Sequence, residues 1–202
     1  MSQATFTMPT NGDEQALHAL DARRSVPAMQ LCEPGPDTPQ LLRMLQSAVR
    51  VPDHGKRVPW RFLRIAGVSR GALGELLAQR SRERDPQASD AAIEKDRQRF
   101  LHAPVIVAVI AAQGPDAKIP PAERLLSAGC VCFALMQAAQ AFGFGACWLT
   151  GWAAYDDGIR GVLGIADDEA VAGFIHIGTV RQNAPERDRP DPAALLSDWT
   201  PR

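Results

Sequence analysis

The sequence predicts an α+β fold, a mixed sheet flanked by helices in a single domain spanning residues 1–202. Helical stretches and short β-branched runs are scattered among one another, without the regular strand–helix alternation of a parallel sheet. Residues 104–112 (PVIVAVIAA) are apolar throughout, the pattern of a strand covered on both faces. Residues 125–149 contain no charge, so one long helix is apolar on all sides and calls for burial.

The elements follow in order. A first helix is expected over residues 13–22, opened by Asn11-Gly12-Asp13. Arg23-Arg24-Ser25 and a proline-rich loop lead to Thr38, a suitable N-cap with Pro39 in the first turn behind it. Leu41, Leu42, Leu45, Ala48 and Val49 then mark one helical face, which Pro52 ends. Residues 60–66 alternate as a strand. Ser69 is expected to cap a third helix over 71–84, and a charged helix follows over 87–101, where Lys95, Arg97 and Arg99 read as a solvated face. After the strand at 104–112 come the long helix at 121–142, a strand at 145–149, a short helix at 155–163 and a last strand at 170–178. Residues 183–202 are an extended, proline-rich tail carrying Leu195, Leu196 and Trp199.

Composition narrows the function classes. The hydrophobic fraction of 46% suffices for a sizeable core. Charges of 22 basic and 23 acidic side chains nearly cancel, without the basic excess that a sequence-independent nucleic-acid binder needs. Cys32, Cys130, Cys132 and Cys147 show neither a Cys-x-x-Cys pair nor a framework spacing and read as buried, reduced thiols, as in a cytoplasmic protein. The N-terminal MSQATFTMPTNGDEQ lacks the basic and apolar regions of a signal peptide. The uncharged stretch 125–149 is long enough for a bilayer. Gln137, Gln140 and the Gly143-Phe144-Gly145 break favour a buried helix instead, with no membrane partner.

No G-x-S-x-G elbow and no H-E-x-x-H is present, and His18, His54, His102 and His176 stand apart, so no metal site is expected. His176, in an apolar strand, reads as a satisfied core or interface residue. The glycines at 143 and 145 come after a helix and before a strand, the reverse of a dinucleotide-binding fingerprint, and Gly143 reads as a helix C-cap. Arg23-Arg24-Ser25 is a compact donor set that suits a phosphate monoester. Taken alone it reads more readily as an arginine pair favoured at a helix C-terminus by the dipole. The loop from Arg50 to Trp60, with His54, Lys56 and Arg57 between stiffening prolines, is either a ligand loop or an exposed basic loop.

In combination, RRS, then P-D-H-x-x-x-x-P-W-x-F, then S-A-G-C before a long apolar helix, then G-F-G-x-x-W resembles the FMN-dependent nitroreductase family, and within it the minimal YdjA-like subgroup. The match runs from about Leu17 to Gly178. The resemblance implies a nitroreductase-like sandwich, with the long central helix at the interface of an interlocked homodimer. It implies bound FMN, NAD(P)H as co-substrate and a small-molecule electron acceptor such as a nitroaromatic or quinone. It further implies that Arg23, Arg24 and Ser25 hold the FMN phosphate and ribityl chain, and that Arg50 and His54 reach the flavin from the partner subunit. Trp148, Leu149 and Thr150 match the segment along the flavin, and residues 138–143 a region that meets the nicotinamide nucleotide. Positive charge at the flavin N1 and O2 would come from Arg50 or Lys56. The segment from Trp148 to Trp152 has no arginine, where relatives carry a basic residue, which bears on the acceptor site. The flavin would perform the chemistry, so no catalytic side chain is assigned. A flavin-binding carrier or sensor without turnover would use the same site.

Overall fold

The computed structural model describes residues 12–201. Most of the N-terminal segment read for a signal peptide, Asn11 included, lies outside them. The elements are α1 (Glu14–Asp21), β1 (Leu31–Cys32), α2 (Thr38–Ala48), β2 (Trp60–Ala66), α3 (Val68–Arg84), α4 (Asp90–Gln98), β3 (Val105–Ala112), α5 (Pro121–Ala141), β4 (Gly145–Leu149), α6 (Asp157–Val162) and β5 (Glu169–Val180).

The sheet has the order β2-β3-β5, and the outer edge of β5 is shared by β4 and the two-residue β1. All pairings are antiparallel, where a mixed sheet was expected. β3 and β5 occupy the centre because both are apolar on both faces. Alternate residues of β3 serve two cores. Val105, Val107, Val109 and Ala111 pack under α2 and α5, while Ile106, Ala108 and Ile110 pack under α3 and α6. The result is a three-layer sandwich, and α5, long and apolar enough to cross a membrane, is instead the main core helix of one layer.

Local chemistry moves several boundaries. Asp37, not Thr38, caps α2: its carboxylate accepts the Gln40 amide at 2.8 Å, and the Gln40 side chain accepts the Asp37 amide at 3.0 Å. An aspartate one residue earlier outcompetes the threonine because its partner stands three residues on. Gly67, at φ 58°, turns the chain directly from β2 into α3, which begins before Ser69. The charged helix is shorter than expected because Ser89 caps it, its hydroxyl accepting the Ala92 amide. Asp156 caps α6 in the same way. Gly143, at φ 82°, ends α5 as expected. β1 was missed, since two residues inside a proline-rich loop leave no periodicity to read. Cys132 and Cys147 are buried, whereas Cys130 is exposed and Cys32 half-buried, so burial holds for only part of the set; all four are free.

Along α5 one stripe is left uncovered. Ala122, Leu126, Cys130 and Phe133 recur at helical spacing on the solvent side, Leu126 at 70% exposure. Leu195, Leu196 and Trp199 on the tail are exposed as well, Trp199 at 84%.

Candidate functional site

The Val26 amide donates to Ala146 O at 3.1 Å, which pins the segment after α1 alongside β4. The Arg181 amide donates to Gln30 O at 2.8 Å and brings the chain leaving β5 to the same place. Arg23, Arg24 and Ser25 thereby meet Arg187 and Arg189 around one small cavity. Arg23 Nη1 donates to Ser25 Oγ at 3.0 Å. Glu186 faces this cluster, paired with Arg24 and with Arg189. Four guanidinium groups and a hydroxyl thus gather at one cavity and only two of them pair with a carboxylate, leaving an excess of positive charge and of donors suited to a phosphate. Sequence reasoning missed Arg187 and Arg189, because an arginine in a proline-rich tail carries no sign of where the tail returns.

Ser25 and Arg187 also line a larger cleft of about 500 Å³, within the range that holds a cofactor-sized ligand. Its apolar wall is Pro27, Ala28, Met29, Trp148 and Leu149. Its other wall is basic, built by Lys95, Arg99 and His102. Burial, together with the charge of Arg181, holds the His102 pKa below the ordinary histidine value. Lys95 and Arg99, read from the sequence as a solvated face, stand one helical turn apart over the cleft. Their i, i+4 spacing was the available signal.

Trp148 is fixed from two sides. Its Nε1 donates to Ala172 O at 3.0 Å, and its ring lies against Gly173 and Gly129, the former bare because a Cβ there would fall inside the indole. Beneath this wall Cys147 stands opposite His176 across the β4–β5 ladder. Burial pushes the Cys147 thiol up to about 12 and His176 down to about 4, so both are neutral at pH 7. His176 is a core residue but not a satisfied one: its Nδ1 has no partner among the described residues, while its ring stacks on Phe100.

Arg50, His54 and Lys56 do not line this cleft. His54 Nδ1 lies 2.6 Å from Glu123 in the first turn of α5, whereas Arg24 shares a second cleft with Gln140 near the other end of that helix. Seventeen residues separate Glu123 from Gln140, a rise of about 25 Å. One protomer therefore does not bring His54 to Arg23 and Arg24. The 54–59 loop has a fixed shape: Asp53 accepts the amides of Arg57 and Val58 at 3.0 and 2.8 Å, and Val58 is held at φ 48°, a costly conformation for a β-branched residue. Thr150 follows β4 and stands outside the cleft. Gln140, from the stretch expected to meet the nicotinamide nucleotide, lines the second cleft rather than the first.

The chain is similar in sequence and in fold to known proteins. The sequence model of the Nitroreductase family matches residues 21–179. The "Putative NAD(P)H nitroreductase YdjA" of Escherichia coli (strain K12) is 34% identical over 183 residues, which cover 90% of this chain and 98% of that protein. A nitroreductase-like family protein from Bacillus cereus superposes with a TM-score of 0.76 at 20% identity, over 98% of this chain and 99% of that one. A variant of the FMN and NADPH-dependent nitroreductase NfnB, from sphigopyxis sp. strain HMH, superposes with a TM-score of 0.73 at 22% identity, over 91% and 98% of the two chains. By sequence and by fold, the chain belongs to the Nitroreductase family and is an oxidoreductase of that family.

Proposed function

We propose that the chain binds FMN in the cleft between β4 and α4, with the phosphate in the Arg23, Arg24, Ser25, Arg187 and Arg189 cluster, and that it works as an NAD(P)H-dependent reductase of a small acceptor. The observation that carries this reading is that Ser25 and Arg187 line both cavities, so that a cluster of guanidinium donors adjoins a cleft with an apolar wall. A phosphate monoester attached to a planar ring has that form. Bound there, FMN would supply the redox chemistry, a two-electron transfer from NAD(P)H to a nitroaromatic, quinone or similar acceptor in a ping-pong cycle.

The residues bind and orient. Arginine forks would hold the phosphate oxygens in pairs, and Ser25 would help to hold the phosphate and ribityl chain. Trp148 and Leu149 give the ring an apolar surface and shield it from water. Lys95 and Arg99 place positive charge on the opposite wall, the role first expected of Arg50 or Lys56. The apolar stripe of α5 is the homodimer face, a contact that also covers the tail residues Leu195, Leu196 and Trp199. Two copies packed through that stripe would bring Arg50 and His54 of one to the cleft of the other. A cytoplasmic location accords with four free thiols.

Titration of flavin-free protein with FMN, followed by quenching of flavin fluorescence, tests the site. Saturable binding of one FMN per chain, weakened by riboflavin-for-FMN exchange, is expected. Equal affinity for riboflavin and FMN would contradict the phosphate assignment.

A further inference from the structure

Asp96 stands at the end of α4 behind the basic wall of the cleft. Its carboxylate accepts three side-chain hydrogen bonds from three elements: Ser81 Oγ of α3 at 2.9 Å, Trp152 Nε1 of the turn after β4 at 3.1 Å, and Arg99 Nη2 at 2.7 Å. Trp152 is itself held from its other side by the Arg84 guanidinium, 4.3 Å from the ring centre. Burial raises the Asp96 carboxyl pKa, but the bonds from Arg99, Trp152 and Ser81 outweigh it, so the group is an anion at neutral pH. Arg99 makes no other side-chain hydrogen bond among the described residues, and it lines the cleft. Its Nη1 lies 2.8 Å from the place a Cβ would take on Gly151, a residue at φ 74°. Arg99 is therefore clamped on one side by Asp96 and admitted on the other by a missing side chain. Its Nε is buried without a hydrogen-bond partner among the described residues.

We infer that Asp96 is a positioning residue: held by Ser81 and Trp152, it fixes Arg99 against the cleft wall and so sets the reduction potential of the bound cofactor. The inference rests on the cleft being the flavin site. An arginine left loose on a helix end would spread its charge through solvent, where it is screened. A clamped one acts at a fixed place in a half-buried site, where charge interactions are stronger. A fixed positive charge beside the ring favours the more negative, reduced cofactor and raises its midpoint potential. Three donors on one carboxylate, drawn from α3, α4 and the turn after β4, would also serve as a purely structural tie. The potential separates the two roles.

The test is the midpoint potential of bound FMN, with FMN affinity, in the wild type, Asp96→Asn, Arg99→Met, the double variant and Asp96→Glu. Arg99→Met should lower the potential, Asp96→Asn should lower it in the same direction, and the double variant should fall no further than Arg99→Met alone. Asp96→Glu should restore part of the loss. Should Asp96→Asn fail to fold, Trp152→Phe removes one donor to Asp96 and should give a smaller fall. A wild-type potential in a destabilised Asp96→Asn or Trp152→Phe would leave Asp96 a structural tie and overturn the inference. So would a raised potential, which would make Asp96 a mere counter-charge. An unmoved potential in Arg99→Met, with FMN still bound, would remove Arg99 from the ring. Wild-type protein that holds no FMN would overturn the cleft assignment itself.

Discussion

Trp148 Nε1 donates to the carbonyl oxygen of Ala172, the residue of β5 that the register step opposite Val109 and Ile110 leaves without a partner. The bulge shapes the site: it aims a backbone acceptor at the indole and, with the bare Gly173 beside it, lets the ring lie flat on the strand. Gly173→Ala should therefore displace Trp148 and destabilise the protein by about 1–3 kcal/mol, the usual cost of overpacking. Denaturant unfolding of Gly173→Ala, Trp148→Ala and the double variant checks this. The two changes should be strongly non-additive, because the atoms nearest the added methyl all belong to the indole. Additive losses would show that Gly173 serves the backbone and not the ring.

The arginine cluster predicts a graded loss of anion affinity. Arg23→Ala and Arg187→Ala should each weaken FMN binding about tenfold to hundredfold, as expected when a charge-assisted hydrogen bond of about 1.5–3 kcal/mol is lost. Riboflavin binding should be much less affected. Fluorescence titration with both ligands gives the ratio.

How much of this was legible beforehand depended on the range of the signal. Helices and strands were read where periodicity and caps are local: the long apolar α5, the doubly buried β3 and the Gly143 stop all stand where the residues placed them. Capping was misassigned at Asp37 and Gly67, where adjacent residues compete for one role and only geometry chooses. Part of the arginine cluster was visible because Arg23, Arg24 and Ser25 are consecutive, and Trp148 and Leu149 of the cleft were read as well. Lys95, Arg99 and Arg187 were not, because they come together only through the tertiary fold. The i, i+4 spacing of Lys95 and Arg99 puts them on one helix face but does not say that this face meets a cleft floored by Cys147.

Placement of His54 against Glu123, far along α5 from Arg24, leads to a complementation test. If each site draws Arg23 from one subunit and His54 from the other, Arg23→Ala and His54→Ala homodimers are both impaired. Unfolding and refolding the two together should generate mixed dimers with one intact site and regain FMN binding above either parent. No gain on mixing would place both residues in the same protomer's site or remove His54 from it.

A homodimer through α5 makes three further demands. The unfolding midpoint should rise with protein concentration, and Cys130, exposed on the α5 stripe, should react with thiol reagents only under dissociating conditions. Mass spectrometry after brief alkylation checks the second. Truncation after Asn183 should loosen the dimer and lower FMN occupancy together. A concentration-independent midpoint with rapid Cys130 labelling would contradict the interface.

His176 sets an acid limit. Burial first, then the charges of His102 and Arg99, lower its pKa from 6.5 to about 4. The unfolded chain therefore binds a proton that the native state refuses over that interval, and stability falls as the pH drops from about 6.5 to about 4, levelling below it. Replacement by Leu should flatten this part of the profile, measured as the urea midpoint against pH. An unchanged slope would mean that the loss comes from carboxylates alone.

Reduction of a cleft-bound flavin by nicotinamide nucleotides is tested most directly by the absorbance spectrum of the purified, FMN-loaded protein under anaerobic conditions, before and after NADH or NADPH. The expected result is a yellow protein with one FMN per chain that at least one nucleotide bleaches and that a nitroaromatic or quinone recolours. A yellow protein that neither nucleotide bleaches would mark a flavin carrier without turnover, and a protein that takes up no FMN at all would contradict the account.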